Sequence, residues 1–176
     1  MPGCLRKHYR QSIGLIGLAL VASSAGFGQN AVVSYLPGID FSKYHTYRWV
    51  TTHPHPIQNV DAQIQQSIDK ELAARGLTKN DSMADLTVDY RVAISTREEW
   101  SQFRYNEIDT LTPTKVTVYT GTLGVDFSDS KLNQLVWSGT IAKAVDPNAA
   151  AGAKQKNLNK SVQALLKTFP PKRPSN

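Results

Sequence analysis

The chain has 176 residues, a single cysteine and a formal charge of +6 at pH 7. That length suits one ordinary domain behind a short leader. A lone cysteine excludes an internal disulfide, and so small a net charge is weak evidence for nucleic acid, which calls for a clustered basic stripe, so no nucleic-acid partner is expected.

Residues 1–28 read as a secretory signal peptide. Arg6, Lys7 and Arg10 form a basic start, residues 13–22 an uncharged apolar run, and Ser23, Ser24, Ala25, Gly26 and Gly28 a zone of small side chains. The apolar run is well short of the roughly 20 residues that span a bilayer as a helix. Cleavage fits after Ala25 or after Gly28, and Gly28 is taken as the boundary. Loss of the leader removes three basic residues and no acidic one, so the charge falls from +6 to +3. It also removes Cys4, leaving no thiolate nucleophile or thiolate metal ligand. Cys4 precedes the apolar run, whereas a lipoprotein carries its lipid-accepting cysteine directly after it. The expectation is a periplasmic or secreted domain, not lipid-anchored, over residues 29–171. Residues 172–176 are expected to be a disordered tail.

Residues 31–38 hold Val32, Val33, Tyr35 and Leu36 and can start a strand. Asp40-Phe41-Ser42-Lys43-Tyr44 reads as a turn. Residues 44–50 are aromatic and β-branched, which suits a strand with Tyr47 and Trp49 on one face. Residues 51–56 form a proline-broken loop.

Residues 59–76 carry the clearest helical signal. Val60, Ile64, Ile68 and Leu72 recur at spacing four. Asn59 is placed to cap, Asp61 suits the helix dipole, and Gly76 supplies a left-handed stop after which Leu77 folds back. Burying each stripe residue contributes about 1.5–3 kcal/mol, so the stripe outweighs the caps.

Residues 85–96 alternate cleanly, with Leu86, Val88, Tyr90, Val92 and Ile94 on one face. Residues 97–114 are polar yet contain Trp100, Phe103 and Tyr105, and read as an excursion or as irregular strand extensions. In residues 115–127, Val116 and Val118 occupy even positions but Leu123, Val125 and Phe127 odd ones, which predicts a bulge at Gly121. A turn at 128–131 leads to Leu135, Trp137 and Ile141 on the returning strand of a hairpin. Residues 147–153 read as a small-residue loop, and 157–169 as a last helix stopped by Pro170 and Pro171. The order predicts an α+β fold, a two-layer sandwich of a mainly antiparallel sheet with two helices packed on one face.

Catalytic signatures are sparse. His53 and His55 alternate and point the same way in an extended segment, with His45 a sequence-near third imidazole. Zinc requires three or four ligands, so an exposed loop is the favoured reading and no metal or cofactor is expected. Glu98 with Glu99, and Glu107 with Asp109, are carboxylate pairs of the kind glycosidases use, though such pairs are also common on solvated loops. No Gly-x-Ser-x-Gly elbow, His-Glu-x-x-His or phosphate-binding glycine loop opens a helix. Trp100, Phe103 and Tyr105 are the candidate binding residues, because exposed aromatic rings bury large area at low entropic cost. The alternative is that they fold back over the sheet edge as core.

The run Asp40-Phe41-Ser42-Lys43-Tyr44-His45-Thr46-Tyr47-Arg48-Trp49 resembles the opening motif of the bacterial envelope family designated domain of unknown function 4136. Glu71-Leu72-Ala73-Ala74-Arg75-Gly76-Leu77, Ala84 to Tyr90, Gly121 to Phe127, Leu135-Val136-Trp137-Ser138-Gly139 and Thr168-Phe169-Pro170-Pro171 follow in that family's order. The resemblance implies a small α+β domain of a Gram-negative envelope. It transfers no activity and no catalytic residue. The function expected is a non-enzymatic module binding an envelope protein or a cell-wall or outer-membrane component. The alternative is a periplasmic hydrolase using the carboxylates or His45, His53 and His55.

Overall fold

The computed structural model describes residues 31–50, 60–104 and 111–171, with the side chains of 101–104 and 111–112 outside that description. The leader, His53, His55, Tyr105, Glu107, Asp109 and the tail 172–176 lie outside the described residues. The elements are β1 (Ala31–Tyr35), a 3-10 turn (Phe41–Lys43), β2 (Thr46–Trp49), α1 (Val60–Ala73), β3 (Thr78–Lys79), β4 (Leu86–Arg104), β5 (Leu111–Asp129), β6 (Gln134–Val145), α2 (Ala151–Leu165) and a closing 3-10 turn (Leu166–Thr168).

Six strands form one sheet in the order β1-β6-β5-β4-β2-β3. The class is α+β, but the sheet is mixed where a mainly antiparallel one was expected. β4–β5, β5–β6 and β1–β6 are antiparallel, whereas β2 pairs in parallel with both β3 and β4. The cause is α1. A crossover helix returns the chain to the sheet end it left, so the strand that follows runs the same way.

The stripe of α1 is buried as expected, at Ile64, Ile68 and Leu72. Gly76 adopts φ +83°, its N–H bonds the Ala73 carbonyl, and the Leu77 N–H bonds that of Leu72, which turns Leu77 back into the core. Leu86, Val88 and Tyr90 of β4 stand opposite Asp129, Phe127 and Val125 of β5, and Phe127 in turn opposite Trp137 of β6. All of these but Asp129 join the helical stripes in one buried apolar cluster. Phe127, Trp137 and Phe169 lie with ring centroids 4.4 to 5.4 Å apart.

Three local expectations need correction. The pairing of β4 with β5 is unbroken from Leu86 to Arg104, so Gly121 carries no bulge. Gly121 is instead a close approach, since a Cβ there would lie 3.1 Å from Val145 Cγ1. The change of apolar phase needs no extra residue, because Val116 and Val118 lie where the strand has left the core and neither face must be buried. The irregularity falls between Phe127 and Ser128, where Val136 is inserted on β6. Of the two readings of residues 97–114, strand extensions hold over 97–104 and 111–114 and the excursion does not, and the extensions pair in regular register, not irregularly. Finally, α2 begins at Ala151, six residues before the predicted start, because the alanine-rich stretch read as a loop is strongly helix-forming.

Candidate functional site

Two regions concentrate polar and aromatic groups, and their chemistry differs. The first is the segment 40–49. Asp40 Oδ1 accepts from the Ser42 N–H at 3.1 Å and holds the 3-10 turn. That turn buries Phe41 edge-on against Phe169 and Tyr44. The Tyr44 hydroxyl and Lys43 Nζ donate to Asp129 Oδ2 at 2.9 and 3.1 Å. The N–H groups of Lys131 and Leu132 donate to its other oxygen. Asp129 is only 4% exposed. Burial alone would push its carboxyl up. The bonds from Leu132, Tyr44, Lys43 and Lys131 outweigh that and bring it down to about 2.

Asp85 Oδ2 accepts the N–H groups of His45 and Thr46 at 3.0 Å and the Thr46 hydroxyl at 2.9 Å. The His45 N–H is the main cause of its lowered pKa. Asp69 on α1 accepts from the Tyr47 hydroxyl at 2.7 Å and from Trp49 Nε1 at 2.9 Å. Burial, then the bond to Asp69, raises the Tyr47 phenol. Each acidic partner in this region is therefore spent on an internal donor. Sequence reading missed these aspartates as partners, since nothing local ties Asp129 to Tyr44.

Beside this segment lies a hollow of about 200 Å³ lined by Phe41, Tyr44, His45, Arg75, Leu77 and Phe169, among others. Its guanidinium is committed: Arg75 Nε donates to the Leu166 and Phe169 carbonyls at 3.1 Å, and Nη1 pairs with Glu71. His45 therefore faces no carboxylate in that hollow, and no group of three metal-ligating side chains occurs among the described residues.

The second region is an arm built from β4 and β5. β2 pairs with β4 only as far as Val88, and β6 pairs with β5 only from Tyr119 to Asp129. Beyond those points residues 97–104 and 111–118 pair only with each other among the described residues, and residues 92–96 have β5 as their one strand neighbour. The even positions of β4 are buried at Leu86, Val88 and Tyr90, and the Tyr90 hydroxyl bonds Asp61 in the first turn of α1. Past that helix end the same face continues uncovered. Ile94 is 59% exposed and Trp100 66%. Lys115 Nζ sits 5.3 Å above the Trp100 ring. Tyr119 and Val145, paired with each other, lie on that face as well.

Of the candidate binding residues, Trp100 is on this exposed face. Phe103 stands in β4 opposite Thr112, at an odd position where Trp100 is even, and Tyr105 lies outside the described residues. Ile94 went unrecognised because strand alternation alone assigned it to the core. The acid pair Glu98 and Glu99 occupies successive strand positions, with Glu98 bonded to Lys115 and Glu99 to Arg97.

These elements define an α+β domain with a mixed six-stranded sheet and two helices. Residues 31–171 match the family described as domain of unknown function 4136, and the chain belongs to it. No curated protein matches the chain. Among solved structures it is similar to a PDZ domain protein from Parabacteroides distasonis, with 13% identity and TM-score 0.60, over 82% of this chain and 36% of that one. It is also similar to the PelC dodecamer from Paraburkholderia phytofirmans (10% identity, TM-score 0.49, 79% of this chain and 97% of that one). A third is lipoprotein GNA1162 from Neisseria meningitidis (14% identity, TM-score 0.42, 70% of this chain and 99% of that one). The chain spans about a third of the length of the first of these. Likeness at such identities describes the fold alone. None of the described helices is long and apolar enough to cross a membrane.

Proposed function

We propose that the chain is an exported, non-enzymatic interaction module of the cell envelope, and that the β4–β5 arm is its contact element. One observation carries this reading: the core face of β4 runs on past its helical cover and exposes Ile94 beside the open edge of β4 and Trp100 on the two-stranded ribbon beyond it. Exposed aromatic and branched side chains beside free strand edges suit partner recognition by side-chain burial and strand addition. In this reading both helices cover the same sheet face. The bonds of Tyr47, Trp49 and Tyr90 to α1 support that, as does Leu165 of α2 lying within 2.8 Å of where a Gly139 Cβ would stand. Export rests on the leader pattern of residues 1–28, and Cys4 lies on the wrong side of the apolar run for lipid anchoring.

The test is photo-cross-linking in the intact host envelope. A photoreactive residue at Ile94 or Trp100 is expected to give a discrete adduct, and one at Ser95, on the opposite face of the same strand, none. Equal adducts at all three positions, or none at any, would sink the reading. N-terminal sequencing of the exported protein is expected to start at Gln29 or at Gly26. Turnover of a substrate, abolished by replacing one polar side chain, would overturn the non-enzymatic part.

A further inference from the structure

A separate feature lies between the two helices, away from the arm. There a cavity of about 190 Å³ is lined by Ser67, Lys70 and Glu71 of α1 and by Lys156, Asn159 and Lys160 of α2, among others. We propose that this groove binds a phosphate-bearing ligand.

The chemistry of the lining is donor-rich and acceptor-poor. Lys70, Lys156 and Lys160 make no ion pair among the described residues. The one lining carboxylate, Glu71, is taken by Arg75 at 2.6 Å. The other acids of α1 are also committed, Asp61 to the Tyr90 hydroxyl and Asp69 to Tyr47 and Trp49. α2 carries Lys154, Lys156 and Lys160 and no acidic residue. Three lysines without an ion pair among the described residues therefore line the groove, and its one carboxylate is already engaged by Arg75.

Its floor is preformed. Ser67 is 4% exposed, and its hydroxyl lies 2.8 Å from the Gln63 carbonyl and 2.7 Å from Asn159 Oδ1. Gln155 Nε2 donates to both Ser67 Oγ and Asn159 Oδ1, at 3.1 and 2.9 Å. The single Ser67 hydroxyl hydrogen serves either the Gln63 carbonyl or Asn159, so Ser67, Gln155 and Asn159 form one connected polar network across the two helices. A polar bridge stands where helix packing is ordinarily apolar, at the base of the cavity. Lys156 and Lys160 are an i,i+4 pair of like charges, an unfavourable arrangement on a bare helix that a bound anion relieves. Three lysine ammonium donors suit the oxygens of a phosphate, whose charge-assisted hydrogen bonds are the strong ones.

Titration of the exported protein with inorganic phosphate, followed by amide NMR, is the direct test. Shifts are expected to cluster at residues 67–71 and 156–163 and to weaken as sodium chloride is raised. The double variant Lys156→Gln/Lys160→Gln should lose about tenfold or more in affinity. Lys154→Gln should lose nothing, since that lysine lies outside the groove and donates to the Pro147 carbonyl. All these substitutions are at exposed positions, and circular dichroism checks that they fold. Vesicles of phosphatidylglycerol in phosphatidylcholine separate the two sources. Capture that the double variant loses marks a lipid headgroup, and phosphate binding without capture marks a soluble phosphate compound. Shifts scattered over the surface, equal weakening by Lys154→Gln, or no groove response to either probe would overturn the proposal.

Discussion

The segment 40–49 and the β4–β5 arm are both rich in aromatic and charged residues, yet they do opposite things. In the first, Lys43, Tyr44, Thr46, Tyr47 and Trp49 all spend their polar groups on Asp129, Asp85 and Asp69. In the second, Trp100 and Ile94 meet solvent and the charges pair only with neighbours on the ribbon. The difference shows that the motif carrying the family resemblance is a clasp that closes the fold. It draws the turn after β5 and the start of β4 onto β2, and that explains a recognisable motif without assigning it chemistry. Saturated polar groups mark structure, and unsaturated apolar ones mark a contact surface.

That contrast can be broken from either side. The largest effect is expected at Asp129→Ala, which orphans two backbone N–H groups, a buried phenol and an ammonium. It should cost about 3 kcal/mol in denaturant unfolding. Loss below about 1 kcal/mol would mean that the clasp contributes little. Gly139→Ala comes next. Its Cβ would stand 2.4 Å from Trp137 Cη2 and 2.8 Å from Leu165 Cδ1, and forcing those apart should cost about 1–3 kcal/mol by the same measurement.

Acid titration sharpens the same point. The carboxyl of Asp129 lies below its unfolded value, at about 2. Its contribution is therefore fully present above pH of about 4 and is lost as pH falls toward 2. Asp85 shifts in the same direction. Stability measured from pH 5 downward should fall steeply, and Asp129→Asn should be less stable at pH 5 and lose less on acidification. The smallest effect is expected in the arm. Trp100→Ala should change stability by less than about 0.5 kcal/mol, because an exposed ring gives up little burial. A larger loss would mean that the ring supports the fold.

Much of this was legible in the chain. The α1 stripe, the Gly76 stop, the alternation of residues 86–94 and the Leu135–Trp137–Ile141 strand are local periodicities, and local periodicity reports which face is buried. Ile94 shows the limit. Its alternation is as regular as that of Val88, but whether a face is covered depends on where α1 begins, a fact held in another part of the chain. The mixed sheet was hidden for a related reason. A two-residue strand such as β3 has no pattern of its own, and its parallel pairing follows from the path of the helix before it. The polar groove between the helices was equally invisible, because it needs Ser67 and Asn159 side by side.

By itself the sequence determined the main helix and strand periodicities and the family, because each is written in neighbouring residues. Only the tertiary structure decided which carboxylates are consumed, which aromatic ring is left in water and which lysines line one groove. Those properties depend on pairs separated by tens of residues, and proximity between such pairs exists only once the chain has folded.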